Sequence, residues 1–415
     1  MRRLALALIG LTALIDLSCS DASGPGNQSN GRISITNNAG VLASRVTYLN
    51  DAIPIDSASV GYPSAPVPLA SAAVGRSIAA SQALNLLLKA EVAPPVIGGQ
   101  TLQATSVSIV GNLAVVSYAM AGNPYLGGVD VIDITNKNHP VLTSEALFQN
   151  TDVNAVTISG ANVYLAEATG DTGFASPSVF EVVNLSGNQL VLAGNRRTTL
   201  SSFVATSVGS GTRVYATSGN TGSLFMLNSA TFAVSSSIPL SDARWVAVGG
   251  GKVAVVQGMP GKLAVYNESD MSVVGSWPFK GADIPESKSQ AELVGGKAFI
   301  AAGDSGVQVL NVSGGQLLAS IARPNPDSLG LSPSVVVSNA VAIDQDLMFI
   351  SNGEAGVYLA QGSQTFSTSG TGTQTITMRG KLRFGNLQSV NHVALQSGLL
   401  FIAAGLGGLK IVQVN

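Results

Sequence analysis

Short apolar runs interleaved with Ala, Ser and Thr recur along this chain, each closed by small or Gly-rich residues. From residue 100 onward seven copies of one unit follow each other. Their anchors are Val115, Tyr164, Tyr215, Ala254, Phe299, Phe349 and Phe401, in steps of 49, 51, 39, 45, 50 and 52 residues. Each anchor sits mid-strand, and a further strand lies six to ten residues upstream, as in TSVSI (105–109), NAVTI (154–158), RWVAV (244–248), NAVAI (339–343) and NHVAL (391–395). The alternation has period 2, as expected of strands. Third strands follow the anchors: VDVID (129–133), VFEVV (179–183), LFML (224–227), LAVY (263–266), VQVL (307–310), VYLA (357–360) and LKIVQV (409–414). Segments such as PVLTSEAL (140–147) and SVVGSWPF (272–279) complete four strands per unit. A unit of this size cannot bury both faces alone and must stack on its neighbours. The expected fold is all-β, a seven-bladed β-propeller of four-stranded blades.

The seventh unit reaches Asn415 directly after its third strand, without an outer one. An open blade exposes unpaired edges, so its last strand is expected from elsewhere in the chain. LNLLLKAEV (84–92), just ahead of the first inner strand, is the candidate for closing the ring. The expected organisation is therefore an export segment at 1–19, a tether and loosely patterned stretch at 20–83, and the propeller at 84–415. Within the middle part, SDASGPGNQSNG (20–31) has tether composition, RISIT (32–36) suits a strand, and the Ala-rich run 70–88 suits a helix without a capping box.

Composition narrows the function. Charged residues make up 11% of the chain and the net charge is −2, which leaves no electrostatic basis for gripping nucleic acid or an anionic membrane. Two histidines and one cysteine exclude an internal disulfide and argue against a Cys/His zinc site. At the N-terminus, Arg2 and Arg3 precede a 12-residue apolar core, Leu4 to Ile15, too short to span a bilayer and suited to export. Cys19 behind Leu17 and Ser18 resembles the lipobox of bacterial lipoproteins, whose cysteine is lipidated. Asp16 departs from that pattern, where an apolar residue is usual, and cleavage near Ala22 with loss of Cys19 is the alternative.

A second resemblance lies in the first repeat. Gly128-Val129-Asp130-Val131-Ile132-Asp133-Ile134-Thr135, then Asn138-His139-Pro140-Val141-Leu142, resembles the LVIVD repeat, and Gly111-Asn112-Leu113-Ala114-Val115-Val116 is similar to that family's upstream strand. Later copies keep the strands but lose the Asn-Pro turn, and the closing Asp becomes Asn228, Asn267 or Asn311. The resemblance implies an extracytoplasmic, often lipidated, seven-bladed propeller.

Two motifs suggest chemistry and are set aside by the repeat. Gly303-Asp304-Ser305-Gly306 copies the nucleophile motif of trypsin-like proteases, but Gly353 to Gly356 and Gly405 to Gly408 occupy equivalent positions, so it is a turn. Gly249-Gly250-Gly251-Lys252 lacks phosphate-loop spacing and abuts strands.

Candidate binding residues follow from position. Loops from second to third strand share one face with the entrances to the inner strands, around the channel mouth. That face should carry Glu167, Asp171, Asp304 and Glu354, with Thr105, Asn154, Arg244, Ser289, Asn339 and Asn391 ten residues before the anchors. The polar side chains either satisfy turn backbone or hold a polar ligand; no cofactor is expected, and calcium is the cation that oxygen donors would suit. The span from anchor to third strand is 14 residues in unit one and 15 in unit two, against 8 in units five to seven. These enlarged loops, Tyr118–Gly127 and Glu167–Ser178, offer Tyr118, Tyr125 and Phe174 to a partner. The expected function is a non-catalytic binding or scaffold propeller of the cell envelope, engaging a protein or polysaccharide and touching membrane only through a lipid on Cys19. The alternative is an envelope lyase or hydrolase acting on a polysaccharide or small molecule at the mouth, which would need carboxylates, His392 and Arg244 to converge.

Overall fold

The computed structural model describes residues 25–57, 84–200, 203–285, 287–368, 375–384 and 388–415. The export segment with Cys19 and the Ala-rich run up to residue 83 lie outside the described residues; the end of that run, residues 86–88, is strand.

Seven antiparallel sheets of four or more strands stand around a channel. Their inner strands are Gln103–Val110, Thr151–Ser159, Ala205–Ser210, Ala243–Gly249, Ala291–Val294, Ala340–Asp344 and His392–Gln396. Each inner strand contacts the next, and the last contacts the first, so the ring is closed. Every anchor residue lies in a second strand, from Val115 in Leu113–Ala119 to Phe401 in Leu399–Ala403.

The period-2 pattern works because both faces of a blade are buried. In Leu113–Ala119, Ala114 and Val116 join Phe401 and Ile411 of blade seven in one core. Val115, pointing the other way, joins Val163 and Leu165 of blade two in another. A charged residue within such a strand would therefore meet a neighbouring blade rather than water, which accounts for the low charge content.

Leu86–Val92 supplies the missing strand of blade seven. It pairs antiparallel with Leu409–Val414, from Leu409 opposite Val92 to Val414 opposite Leu86. The strand ahead of blade one and the last strand of blade seven thus share one sheet.

The stretch ahead of that strand carries more than a tether. Ile33–Thr36 extends blade one, Val46–Ala52 extends blade seven and Ile55–Asp56 extends blade six, so one segment belts three consecutive outer edges. Residues 25–31 lie along it, with Gln28–Ser29 paired to Ile33–Thr36. Between the first two strands a short helix, Ala39–Ala43, is capped by Asn38 and buries Leu42 in the core between blades one and seven. Covering edges in this way removes the templates on which other chains would pair. Arg45 pins the belt: its guanidinium forks onto Asp130 at 2.9 and 2.7 Å, pairs with Glu145 and donates to Ala93 O at 3.0 Å.

The Gly-x-x-Gly turns of blades five to seven have a steric cause. Gly306 and Gly408 adopt φ of 75° and 69°. A Cβ at Gly306 would meet Ile321 O at 2.0 Å, and one at Gly408 would meet Val92 O at 2.2 Å. Both glycines let the second-to-third turn tuck under the outer strand. Gly303 to Gly306 is such a turn, joining Lys297–Ala301 to Val307–Asn311.

Candidate functional site at the channel mouth

The residues at the inner-strand entrances form a latch that runs round the ring. In blades one to four the strand bulges there, between Ala104 and Ser106, Val153 and Ala155, Ala205 and Ser207, and Ala243 and Trp245. A bulge turns its extra residue out of the ladder. Thr105 Oγ1 donates to Val153 O at 2.9 Å, Asn154 Nδ2 to Ala205 O at 2.8 Å, and Thr206 Oγ1 to Ala243 O at 2.7 Å. Arg244 Nη1 donates to Ile284 O at 2.9 Å on the approach to blade five. Asn339 Nδ2 reaches Val390 O at 3.3 Å, and Asn391 Nδ2 closes the circle on Ala104 O at 2.8 Å. Between blades five and six the backbone takes over, Gln290 N donating to Asn339 O at 3.0 Å, while Ser289 bonds to Ser287. Most of these side chains thus satisfy backbone carbonyls of the next blade.

Over blades two to five the mouth opens into a cavity of about 650 Å³. Its wall combines Asn154, Thr206, Arg244 and Lys288 with Phe203, Val204, Met259 and Pro285. Phe203 and Met259, 58% and 54% exposed, place two large apolar side chains on this wall. Phe203 also has φ of 84°, a left-handed conformation that costs a bulky residue on the order of 1–3 kcal/mol.

Two cations face this space in different states. Arg244 is consumed: Asp242, itself at a φ of 47°, takes its Nη2 at 2.8 Å and its Nε at 3.1 Å. Gly258 makes room for the guanidinium, since a Cβ there would lie 2.1 Å from its central carbon. Lys288 reaches across the mouth from blade five to donate to Asn154 O of blade two at 3.0 Å. It has no carboxylate partner among the described residues. Enclosure by the ring lowers its amine to about 8, so it stays mostly charged at neutral pH.

Next to the cavity the channel holds a space of about 260 Å³, walled by residues of all seven blades. Trp245 of blade four and His392 of blade seven stack across it with ring centroids 5.4 Å apart. Burial, reinforced by the nearby Lys288 charge, lowers His392 to about 3 and leaves the imidazole neutral. Glu292, in the same wall, is raised to about 8 by burial.

The remaining expected site residues are dispersed. Tyr118 is fully buried between blades one and seven, so its ring adds nothing to an accessible surface. Glu167 is also fully buried, in an ionic knot on blade two. There Arg197 meets Asp171 at 2.6 Å, Glu181 at 3.3 Å and Glu167 at 3.7 Å, and Arg32 of the belt joins Glu181. Burial and the adjacent Glu181 push the Glu167 carboxyl well above its usual range. Phe174 lies over Arg197 at 4.3 Å. The ring of Tyr125 rests on Gly170, where a Cβ would come within 3.1 Å of it. Buried Asp152 ties the first enlarged loop by accepting from Met120 N at 3.0 Å, Gly122 N at 2.9 Å and Leu126 N at 3.2 Å. Asp304 accepts from Asp283 N at 3.1 Å, and Glu354 is exposed on blade six. Among the described residues no group of three or more His, Cys, Asp or Glu is placed to hold a metal ion.

Lys288, Phe203 and Met259 were not among the expected site residues. The signal for Lys288 was available in the long connection into blade five, from Pro278 to Ala291.

No family model matches the chain, and no curated protein matches it in sequence. The LVIVD likeness therefore stays a likeness of residues. Among solved structures, the chain is similar to the computationally designed protein Ika8, at 12% identity and a TM-score of 0.47, covering 81% of this chain and 94% of that one. It is also similar to BamB from Moraxella catarrhalis, at 11% identity and a TM-score of 0.46, covering 88% of this chain and 97% of that one. Neither likeness carries a function over, and the propeller rests on its own seven closed sheets.

Proposed function

We propose that this protein is a non-catalytic binding propeller of the bacterial cell envelope that takes its ligand at the mouth cavity over blades two to five. Export rests on the Arg2-Arg3 and Leu4–Ile15 pattern, and retention at a membrane on a lipid at Cys19. The observation that carries the binding reading is the cavity itself. It combines about 650 Å³ of concave space with two exposed apolar side chains and a cation lacking a described counter-ion, the usual make-up of a small-molecule site.

A catalytic reading needs a nucleophile, a base and an orienting group within reach of each other. Arg244 is spent on Asp242 and backbone carbonyls, His392 is neutral against Trp245, and Glu167 lies in the blade-two knot. These groups support binding rather than turnover.

Photo-crosslinking in living cells tests the proposal. A photoreactive amino acid at position 203 or 259 should capture an envelope molecule. The same residue at position 273, on the outer strand of blade four and 71% exposed in the native protein, should capture far less. Equal capture at all three positions, or none at 203 and 259, would refute the mouth as the binding site.

A further inference from the structure

We infer that the mouth cavity recognises an amphipathic monoanion, with one carboxylate seated on Lys288 and an apolar body packed against Phe203, Val204, Met259 and Pro285. This deepens the proposed function and rests on the mouth being the binding site.

The charge count sets the valence. Arg244 and Asp242 cancel in a forked pair, and Lys288 is left with no carboxylate partner among the described residues. Among the described residues of the wall one cation is unopposed, which suits a single negative charge; a phosphate dianion would bring a second charge that no described group of the wall meets. An ammonium has three donors, and the described contacts of Lys288 use one, on Asn154 O at 3.0 Å. Two remain for the oxygens of an acid.

The rest of the wall sets the body. Thr206 and Asn154 each spend a donor on Ala243 O and Ala205 O, Ser287 shares a hydrogen bond with Ser289, and Asn220 and Ser241 complete the polar lining. A sugar, which needs many partners, would lose its hydration for few returns. An apolar body gains contact area on Phe203 and Met259, which water now covers. The stacked Trp245 and His392 rings stand in the adjoining channel, so the body lies across the cavity rather than down the axis. His392, buried and with no hydrogen-bond partner on either nitrogen among the described residues, is held neutral by burial and does not compete with Lys288 for the acid.

The probe pair is 2-naphthoate, followed by its own fluorescence, and its uncharged counterpart 2-naphthamide, titrated into the full mature protein. The acid should bind at least tenfold more tightly than the amide. Lys288→Met should reduce acid binding to the level of the amide and leave the amide unchanged. Phe203→Ser should weaken both compounds alike, about fivefold or more. A melting temperature within a few degrees of the parent shows that each variant is folded; should Lys288→Met unfold, Lys288→Gln replaces it. Equal affinity for acid and amide, or discrimination that survives loss of Lys288, overturns the inference, as does failure of both compounds to bind. Crosslinking at positions 203 and 259 in the absence of discrimination would leave the mouth as the binding site and refute only the recognition of the acid.

Discussion

Replacing Arg45 by methionine removes the guanidinium that joins the belt, the ring-closing segment and blade one. Asp130 is fully buried and takes both arms of the fork, at 2.9 and 2.7 Å. Glu145 stands directly opposite Asp130 in the sheet and is nearly buried. Without the arginine, two carboxylates face each other out of water, and breaking a buried pair in this way costs about 3–5 kcal/mol. The released Ala93 carbonyl is exposed and takes up water, so it adds little. Urea unfolding at pH 7.5, followed by tryptophan fluorescence, should show this as a fall in midpoint with a nearly unchanged slope. Acid should relieve the loss. Glu145 is already raised above the ordinary carboxylate range by burial and by Asp130, and loss of Arg45 raises it further. A raised carboxyl favours the fold below its unfolded value and opposes it as pH rises through the folded one, so the deficit should shrink between pH 7.5 and pH 5. Adding Asp130→Asn and Glu145→Gln to the variant should restore most of the loss. A deficit under about 1 kcal/mol, in the range of an exposed pair, would refute the reasoning, as would one that does not change with pH.

Glu292→Gln should flatten the stability profile between about pH 5 and 9. The native carboxyl, raised to about 8, favours the fold most fully below its unfolded value near 4.5 and loses that contribution as pH rises through 8. The variant should gain roughly 1–3 kcal/mol over the parent at pH 9 and almost nothing at pH 5, measured by melting at each pH. Asn391→Ala cuts the latch between the last blade and the first, and should cost about 1 kcal/mol in urea unfolding; a loss within error would show that the latch is incidental. Deleting 86–92 should abolish cooperative melting by leaving Leu409–Val414 unpaired, whereas a propeller that still melts sharply would mean that another strand closes the ring. Cys19→Ala should move the protein from the membrane fraction to the soluble one, and unchanged partitioning would favour cleavage near Ala22.

The propeller was legible because its signal is repetition. Seven anchors at near-constant spacing locate seven second strands, and the absent outer strand of the seventh unit points to 84–92, where Leu86–Val92 does pair with Leu409–Val414. The belt was harder to read. Its strands are two to seven residues long and lie on outer edges, where a two-residue strand such as Ile55–Asp56 has no period to detect. The enlarged connections join second to third strands of blades one and two, at 120–125 and 170–177, shorter than the expected Tyr118–Gly127 and Glu167–Ser178 because strand continues at their ends. Tyr118 reads as a loop aromatic and is the inward end of a core strand, and Glu167 reads as a mouth carboxylate while Arg197, thirty residues on in sequence, draws it into a knot. The cavity depends on which side chains remain unspent after every latch and ion pair is made. Spacing cannot report that, because Arg244 and Lys288 look equally available until Asp242 is seen to hold one of them.

Amide hydrogen exchange with and without a detergent-solubilised envelope extract tests the central claim most directly. Binding at the mouth predicts slowed exchange at 203–206, 242–244, 258–259 and 287–288, with the enlarged loops at 120–125 and 170–177 unchanged. Protection confined to those loops, or found on no segment of the mouth, would contradict it.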